Sequence, residues 1–220
     1  MADNDKEIAD AHTRIILARY ADTQNIRLGE TSTETIVRSY LSKIAHPEEF
    51  RRKTILELGA GCSLYVPVFM RHGCTRYYAN DLIPERLTAS KVVDPRYIAV
   101  PGDFRDVTIP EQVDIVFANL TMMFIIPMLN QFVQKIARSL KPGGVFLGMD
   151  PNYLCPLSVY RLLVQRKNNP ARAFSPLRYA ETFRQNGFHV DRLVPFTAPM
   201  PRLTSNWLLG TTFWIKATKR

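Results

Sequence analysis

Between residues 53 and 150, five apolar runs of strand length alternate with segments of helical period, and few folds accept that rhythm. The strand runs are KTILEL (53–58), TRYYAND (75–81), RYIAVPG (96–102), VDIVFAN (113–119) and GVFLGMD (144–150). Between them lie a helix predicted over about 63–72, a short helix from Pro84, and a helix carrying Leu129, Phe132, Val133, Ile136 and Leu140. Strands that are apolar on both faces, separated by helices, imply a parallel sheet covered on both sides. Two later runs, FHVDRLVPF (188–196) and TTFWIKATK (211–219), are joined by a loop without helical period. They predict an antiparallel pair at one sheet edge. The expected architecture is α/β and doubly wound: a mostly parallel seven-stranded sheet with an antiparallel C-terminal strand and helices on both faces.

A chain of 220 residues supports one well-buried core. Residues 1–52 read as a helical cap in two parts. The first spans 4–20, capped by Asn4 or Asp5, with Ile8, Ala11, Ile15 and Ile16 near one face. The second starts at the capping-box pattern Thr31-x-x-Glu34, carries Ile36, Val37, Tyr40, Leu41 and Ile44, and stops at Pro47. Residues 53–150 form the core, 151–187 a lid and a helix, and 188–220 the strand pair. The helix of the third segment has Ser175 as its cap, Pro176 at its first position and Gly187 after its end.

Charge is unevenly placed. Residues 151–220 hold eleven Lys and Arg against Glu181 and Asp191, whereas the first 150 residues hold eighteen of each sign, so the whole net charge of +9 sits in the last third. A face built there favours anionic partners, or simply solubilises. Three widely spaced cysteines, Cys62, Cys74 and Cys155, fit neither a disulfide framework nor a metal clip. No metal-ligating cluster is expected. The polar N-terminus lacks a signal pattern, and no apolar run reaches membrane-spanning length. The expectation is a cytoplasmic protein without an integral membrane segment.

The turn after the first strand reads Gly59-Ala60-Gly61-Cys62-Ser63-Leu64. A dinucleotide fingerprint needs a third small residue where Leu64 stands, and a phosphate loop needs Gly-Lys-Ser/Thr, so both phosphate-centred readings weaken. Glu57 lies two residues before the turn, Asp81 ends the second strand, and Asp103 follows the third beside Phe104. Acids at the carboxyl ends of neighbouring parallel strands suit ribose hydroxyls and a cationic nucleoside rather than a pyrophosphate.

These motifs, in this order, resemble the class I S-adenosylmethionine-dependent methyltransferases over residues 53–218. The resemblance implies a Rossmann-like fold, S-adenosyl-L-methionine as cofactor and methyl transfer as the activity. It implies that Glu57, Gly59, Ala60 and Gly61 surround the methionine part, and that Asp81 binds the ribose with Leu82 against the adenine. Asp103 and Phe104 would flank the base, and Asn119 would stand at the mouth of the site. "LKPGGVFL" and the late antiparallel strand complete the pattern.

Methyl transfer from a sulfonium needs alignment, exclusion of water and, for a protonated nucleophile, a base. His12 on the first helix is the candidate base among His12, His46, His72 and His189. Met122 and Met123 in NLTMMFIIPM predict an apolar, adaptable substrate wall. "DPNYLCPLSVYRLL" resembles a stretch in the ubiquinone and menaquinone type of small methyltransferase, where it covers the acceptor. It nominates Tyr153, Tyr160 and Arg161 for substrate binding under a basic lid that includes Arg166 and Lys167. The acceptor expected is a small or lipid-like molecule, possibly anionic. The alternatives are a nucleic-acid or protein acceptor served by the basic third, or a cofactor-binding scaffold without turnover. Nucleic acid is disfavoured because basic and aromatic residues do not interleave. An NAD-dependent oxidoreductase ranks last.

Overall fold

The computed structural model describes residues 41, 44–90, 92–125, 128–157, 159–160, 175–197, 202–203 and 207–220. The helices expected over 4–20 and, but for its last residues, over 31–44 lie outside the described residues.

Among the described residues, eight strands form one sheet in the order β3-β2-β1-β4-β5-β8-β6-β7. They are β1 (Thr54–Leu58), β2 (Arg76–Asp81), β3 (Tyr97–Pro101), β4 (Val113–Asn119), β5 (Leu140–Pro151), β6 (Phe188–Thr197), β7 (Arg202–Leu203) and β8 (Thr212–Lys219). The seven long strands are those the sequence predicts, and the two-residue β7 is added at the edge. β1 to β5 pair in parallel, while β8 runs antiparallel between β5 and β6. Because β1 has β2 on one side and β4 on the other, the strand order reverses there and opens a crevice at the carboxyl ends.

Helices among the described residues include α1 (Val66–Arg71), α2 (Pro84–Ala89), α3 (Leu129–Ser139) and α4 (Pro176–Gln185). Proline in the first turn of α1, α2 and α4 presets the helical backbone where its missing N–H leaves no ladder gap. α1 starts three residues later than predicted because Ser63 has a left-handed backbone (φ 56°), which interrupts a right-handed helix. Ser175 holds the N-cap position of α4 without a side-chain cap bond, so the entry rests on Pro176. β5 begins at Leu140, earlier than the predicted 144. Leu140 pairs with Val113, and the register then jumps so that Val145 meets Ile115, which leaves Pro142 and Gly143 in a bulge.

Alternation along the strands feeds two cores. Leu56, Leu58, Val116, Phe146 and Ile215 face one side with Phe132, Val133 and Ile136 of α3 and Tyr179 and Phe183 of α4. Ile55, Phe117, Leu147, Met149 and Trp214 face the other with Phe50, Tyr65 and Phe69. Each fully buried aromatic or aliphatic side chain contributes roughly 1.5–3 kcal/mol. Both faces of β1 and β4 are therefore committed to packing, and chemistry is left to their ends. No described helix is long and apolar enough to cross a membrane.

Candidate functional site

The turn leaving β1 is held open by two left-handed glycines, Gly59 (φ 66°) and Gly61 (φ 54°). They play different parts. A side chain on Gly59 would bring its Cβ within 2.4 Å of Thr121 Oγ1, whereas a Cβ on Gly61 would meet nothing within 4 Å. Thr121 Oγ1 lies 3.0 Å from the Leu58 carbonyl and 3.2 Å from the Asn119 carbonyl, so it straps the end of β1 to the end of β4 across Gly59. Gly61 instead leaves free space and presents its N–H to Asp81 Oδ2 at 2.7 Å.

Asp81 also receives the Ile83 N–H on Oδ1 at 2.8 Å. Each carboxylate oxygen thus takes one backbone donor and keeps a lone-pair site. Burial raises the Asp81 pKa, and the two N–H bonds oppose that rise. Asn80 fixes the neighbouring turn by donating to the carbonyls of Val100 (2.8 Å) and Gly102 (2.9 Å).

Asp103 is engaged differently. Its oxygens accept the Arg105 N–H at 2.9 Å and the guanidinium at 2.7 to 3.1 Å, filling nearly all its lone-pair sites from within its own turn. Lys135 of α3 buttresses that turn, donating to the carbonyls of Arg105 and Val107 at 2.7 Å each, with its Nζ 5.2 Å from the Phe104 ring centre. Burial lowers the Lys135 pKa.

These ends enclose an open-mouthed cavity of about 270 Å³. Of the residues predicted to bind the cofactor, Gly59, Asp81, Leu82, Asp103, Phe104 and Asn119 line it. Ala60 and Gly61 do not line it, and Ala60 N–H bonds the Asn80 carbonyl at 2.9 Å. Glu57 does not reach it either. As the fourth residue of a five-residue strand, Glu57 is 2% exposed and accepts the Tyr77 hydroxyl at 2.6 Å on the α1 side of the sheet. Burial pushes its pKa up to about 8, so at neutral pH it is largely protonated. Glu57 therefore brings no carboxylate charge to this turn at neutral pH.

The acceptor wall also differs from the expectation. Met122 is fully buried and Met123 half-buried, and neither lines the cavity. Leu120, Thr121, Phe124, Ile125, Met128 and Phe132 form that side, because the turn Met122–Phe124 winds as a 3₁₀ helix and rotates the methionines away. Asp150 pins the turn from below, accepting the Met123 N–H at 2.9 Å and the Tyr179 hydroxyl at 3.1 Å, and its burial raises its pKa well above the carboxylate range. Nothing in the spacing announces this pair, whose partners are 29 residues apart. Tyr153 and Tyr160 stand exposed, at 57% and 64%. His12, Arg161, Arg166 and Lys167 lie outside the described residues. His72 ends α1 and packs against the Phe50 ring at 6.4 Å, while His189 is exposed near Asp191.

Asn119 donates its amide N–H to the Tyr65 hydroxyl, and its Oδ1 is buried without a hydrogen-bond partner. A buried, unpartnered amide oxygen on a cavity-lining residue, free space at Gly61 and an acid at the end of β2 suit a nucleoside with a polar amino-acid tail. The site defines a doubly wound α/β protein with a ligand-sized crevice at its strand switch.

The comparisons narrow this class. The sequence profile of the family described as "Methyltransferase domain" matches residues 56–148. Over 142 residues the chain is 27% identical to the malonyl-[acyl-carrier protein] O-methyltransferase of Chlorobium luteolum (strain DSM 273 / BCRC 81028 / 2530), covering 60% of this chain and 54% of that protein. The chain thus spans about half the length of this curated relative. Among solved structures, an S-adenosylmethionine-dependent methyltransferase from Mesorhizobium loti is similar with a TM-score of 0.62 at 15% identity, covering 78% of this chain and 93% of that one. The magnesium protoporphyrin IX methyltransferase of Synechocystis PCC 6803, solved with S-adenosylhomocysteine bound, gives 0.64 at 10% identity, covering 98% and 100%. Residues 56–148, less than half of the chain, are thus similar to a methyltransferase domain, and the solved methyltransferase structures share the fold.

Proposed function

We propose that this chain moves the methyl group of S-adenosylmethionine onto a small or lipid-like acceptor that carries an anionic oxygen. The observation that carries the methyl-donor half is the cavity itself, with Asp81 held by two backbone N–H groups at the end of β2 and no phosphate-binding group at the glycine turn. Asp81 would accept the ribose hydroxyls, Leu82 and Phe104 would enclose the base, Asp103 would meet its amine, and Asn119 would face the amino-acid tail. The bound donor supplies an activated methyl on a sulfonium. The chain's own work is to align the acceptor in line with that bond and to keep water out. Leu120, Phe124 and Ile125 give this side an apolar wall suited to both tasks. His12 is the proposed base for an acceptor that must lose a proton, and Tyr153, Tyr160 and Arg161 remain proposed acceptor contacts.

The acceptor class is supported by the surplus of eleven basic residues against two acidic ones in residues 151–220. The curated relative is named for O-methylation of a malonyl group on an acyl-carrier protein, which agrees with an anionic acceptor. The likeness of residues 150–163 to the ubiquinone and menaquinone type supports an apolar body on that acceptor. Calorimetry with S-adenosylhomocysteine and with NAD, followed by a labelled-methyl screen of carboxylic acids, phenols and nucleic acids, tests the reading. Saturable S-adenosylhomocysteine binding and label in the organic acids are expected. Tight NAD binding, or label confined to nucleic acid, overturns it.

A further inference from the structure

On the α1 side of the sheet, the last row of side chains before the carboxyl ends crosses three strands. Asn119 of β4 is directly opposite Met149 of β5, and Met149 is directly opposite Trp214 of β8. Paired residues of neighbouring strands project to the same face, so these three side chains form one continuous strip. The strip begins at the cofactor cavity, which Asn119 lines. Tyr65 holds Asn119 from above and meets Phe117 edge-on, with ring centres 5.1 Å apart. Trp214 stacks on Phe117 from the far end, at 6.5 Å and 23°.

The strip carries two buried side-chain polar atoms that have no hydrogen-bond partner: Asn119 Oδ1 and Trp214 Nε1. Trp214 is 1% exposed, Met149 8%, and Asn119 is half-buried. The row therefore starts at a residue that lines the cavity and ends at a buried indole N–H. An indole N–H donates only and finds a partner when buried, since leaving it unmade costs on the order of 1–3 kcal/mol. An unpaired donor and an unpaired acceptor at opposite ends of one apolar strip, the acceptor on a residue that lines the donor cavity, are what a bound molecule would complete.

We propose that Asn119, Met149 and Trp214, backed by Tyr65, form the methyl-acceptor subsite, in which Trp214 Nε1 donates a hydrogen bond to a carbonyl or carboxylate oxygen of the acceptor. Met149 supplies an adaptable apolar floor between the two polar ends. The subsite deepens the methyltransferase reading and rests on it for the identity of the neighbouring cavity.

The chain has two tryptophans, Trp207 and Trp214, so the indole N–H signals of the ¹⁵N-labelled full chain are assignable with the variant Trp207→Phe. The probe is decanoate, titrated with and without saturating S-adenosylhomocysteine, whose own binding is measured by calorimetry. The Trp214 indole proton is expected to move downfield and saturably, the Trp207 signal to stay, and Trp214→Phe to weaken decanoate binding about tenfold with S-adenosylhomocysteine affinity unchanged. A wild-type Trp214 signal that stays put through the titration overturns the subsite, even if Trp214→Phe fails to fold. A Trp214 response without any S-adenosylhomocysteine binding leaves the subsite standing and overturns the methyltransferase reading. S-adenosylhomocysteine binding with an unmoved Trp214 signal does the reverse.

Discussion

The carboxyl ends of β1, β2 and β3, and the carboxyl ends of β4 and β5 together with the amino end of the antiparallel β8, treat their polar atoms in opposite ways. On the first side, Asp81 takes two backbone N–H groups, Asn80 bridges two carbonyls, Asp103 is filled by Arg105, and Lys135 ties the Asp103 turn to α3. On the second side, Asn119 Oδ1 and Trp214 Nε1 are buried without partners. The first half is a rigid mould whose polar atoms are positioned before any ligand arrives. The second half leaves open hydrogen-bonding capacity, which is where relatives with one donor and different acceptors would be expected to diverge.

Thr121 joins the two halves, so the largest break in the comparison comes at Gly59. Gly59→Ala places a Cβ 2.4 Å from Thr121 Oγ1 and holds a left-handed backbone that L-residues resist. The clash and the strained backbone together are expected to lower stability by about 4 kcal/mol. Thermal unfolding checks the loss, and S-adenosylhomocysteine binding should fall with it. Gly61→Ala, with open space at its Cβ, should lose only the backbone part, about 1–2 kcal/mol. Equal losses at the two glycines would show that the strap through Thr121 does not join the halves.

Much of the rigid half was legible in the sequence, because strand-end acids and a glycine turn are local signals with fixed spacing. The sheet order follows from the same alternation, since βαβ units leave few topologies. What escaped is what depends on the direction of a side chain or on partners far apart in sequence. Glu57 reads as a ligand from its place before the turn, but strand alternation carries it to Tyr77 on the α1 side. Met122 and Met123 read as a wall, but the 3₁₀ turn withdraws them. Arg105 beside Asp103 was visible as a residue and not as a clamp, because two residues of spacing do not specify a bidentate pair.

Glu57 sharpens the comparison by separating burial from ligand binding. Its folded pKa of about 8 stands above the ordinary value of 4.5, so the fold keeps the proton that the unfolded chain releases. Its contribution to stability is therefore full below about pH 4.5 and declines as pH rises toward about 8. Glu57→Gln removes this titration, and the fall in stability between pH 5 and 8 is expected to shrink by about 3 kcal/mol. A shallower slope of the same sign should remain from Asp81 and Asp150, whose pKa values burial also raises. Denaturant unfolding across that pH range measures the change. An unchanged slope would mean that Glu57 ionises in the fold and that the turn carries its charge after all.

The finest test lies within the rigid half, between its two cavity acids. Asp81 keeps a lone-pair site on each oxygen, whereas the Asp103 oxygens are nearly saturated by Arg105. Asp81→Ala is expected to weaken S-adenosylhomocysteine binding about 100-fold, near 2.7 kcal/mol, and Asp103→Ala only about fivefold. Arg105→Ala should free the Asp103 lone pairs, so that Asp103→Ala in that background costs more than it does alone. Calorimetry on the double-mutant cycle measures the coupling, with the sign of the interaction as the deciding quantity. If Asp103→Ala costs as much as Asp81→Ala, and no more when Arg105 is absent, then Arg105 positions Asp103 for the base instead of competing with it. The two acids would then be equal ligands held by different means.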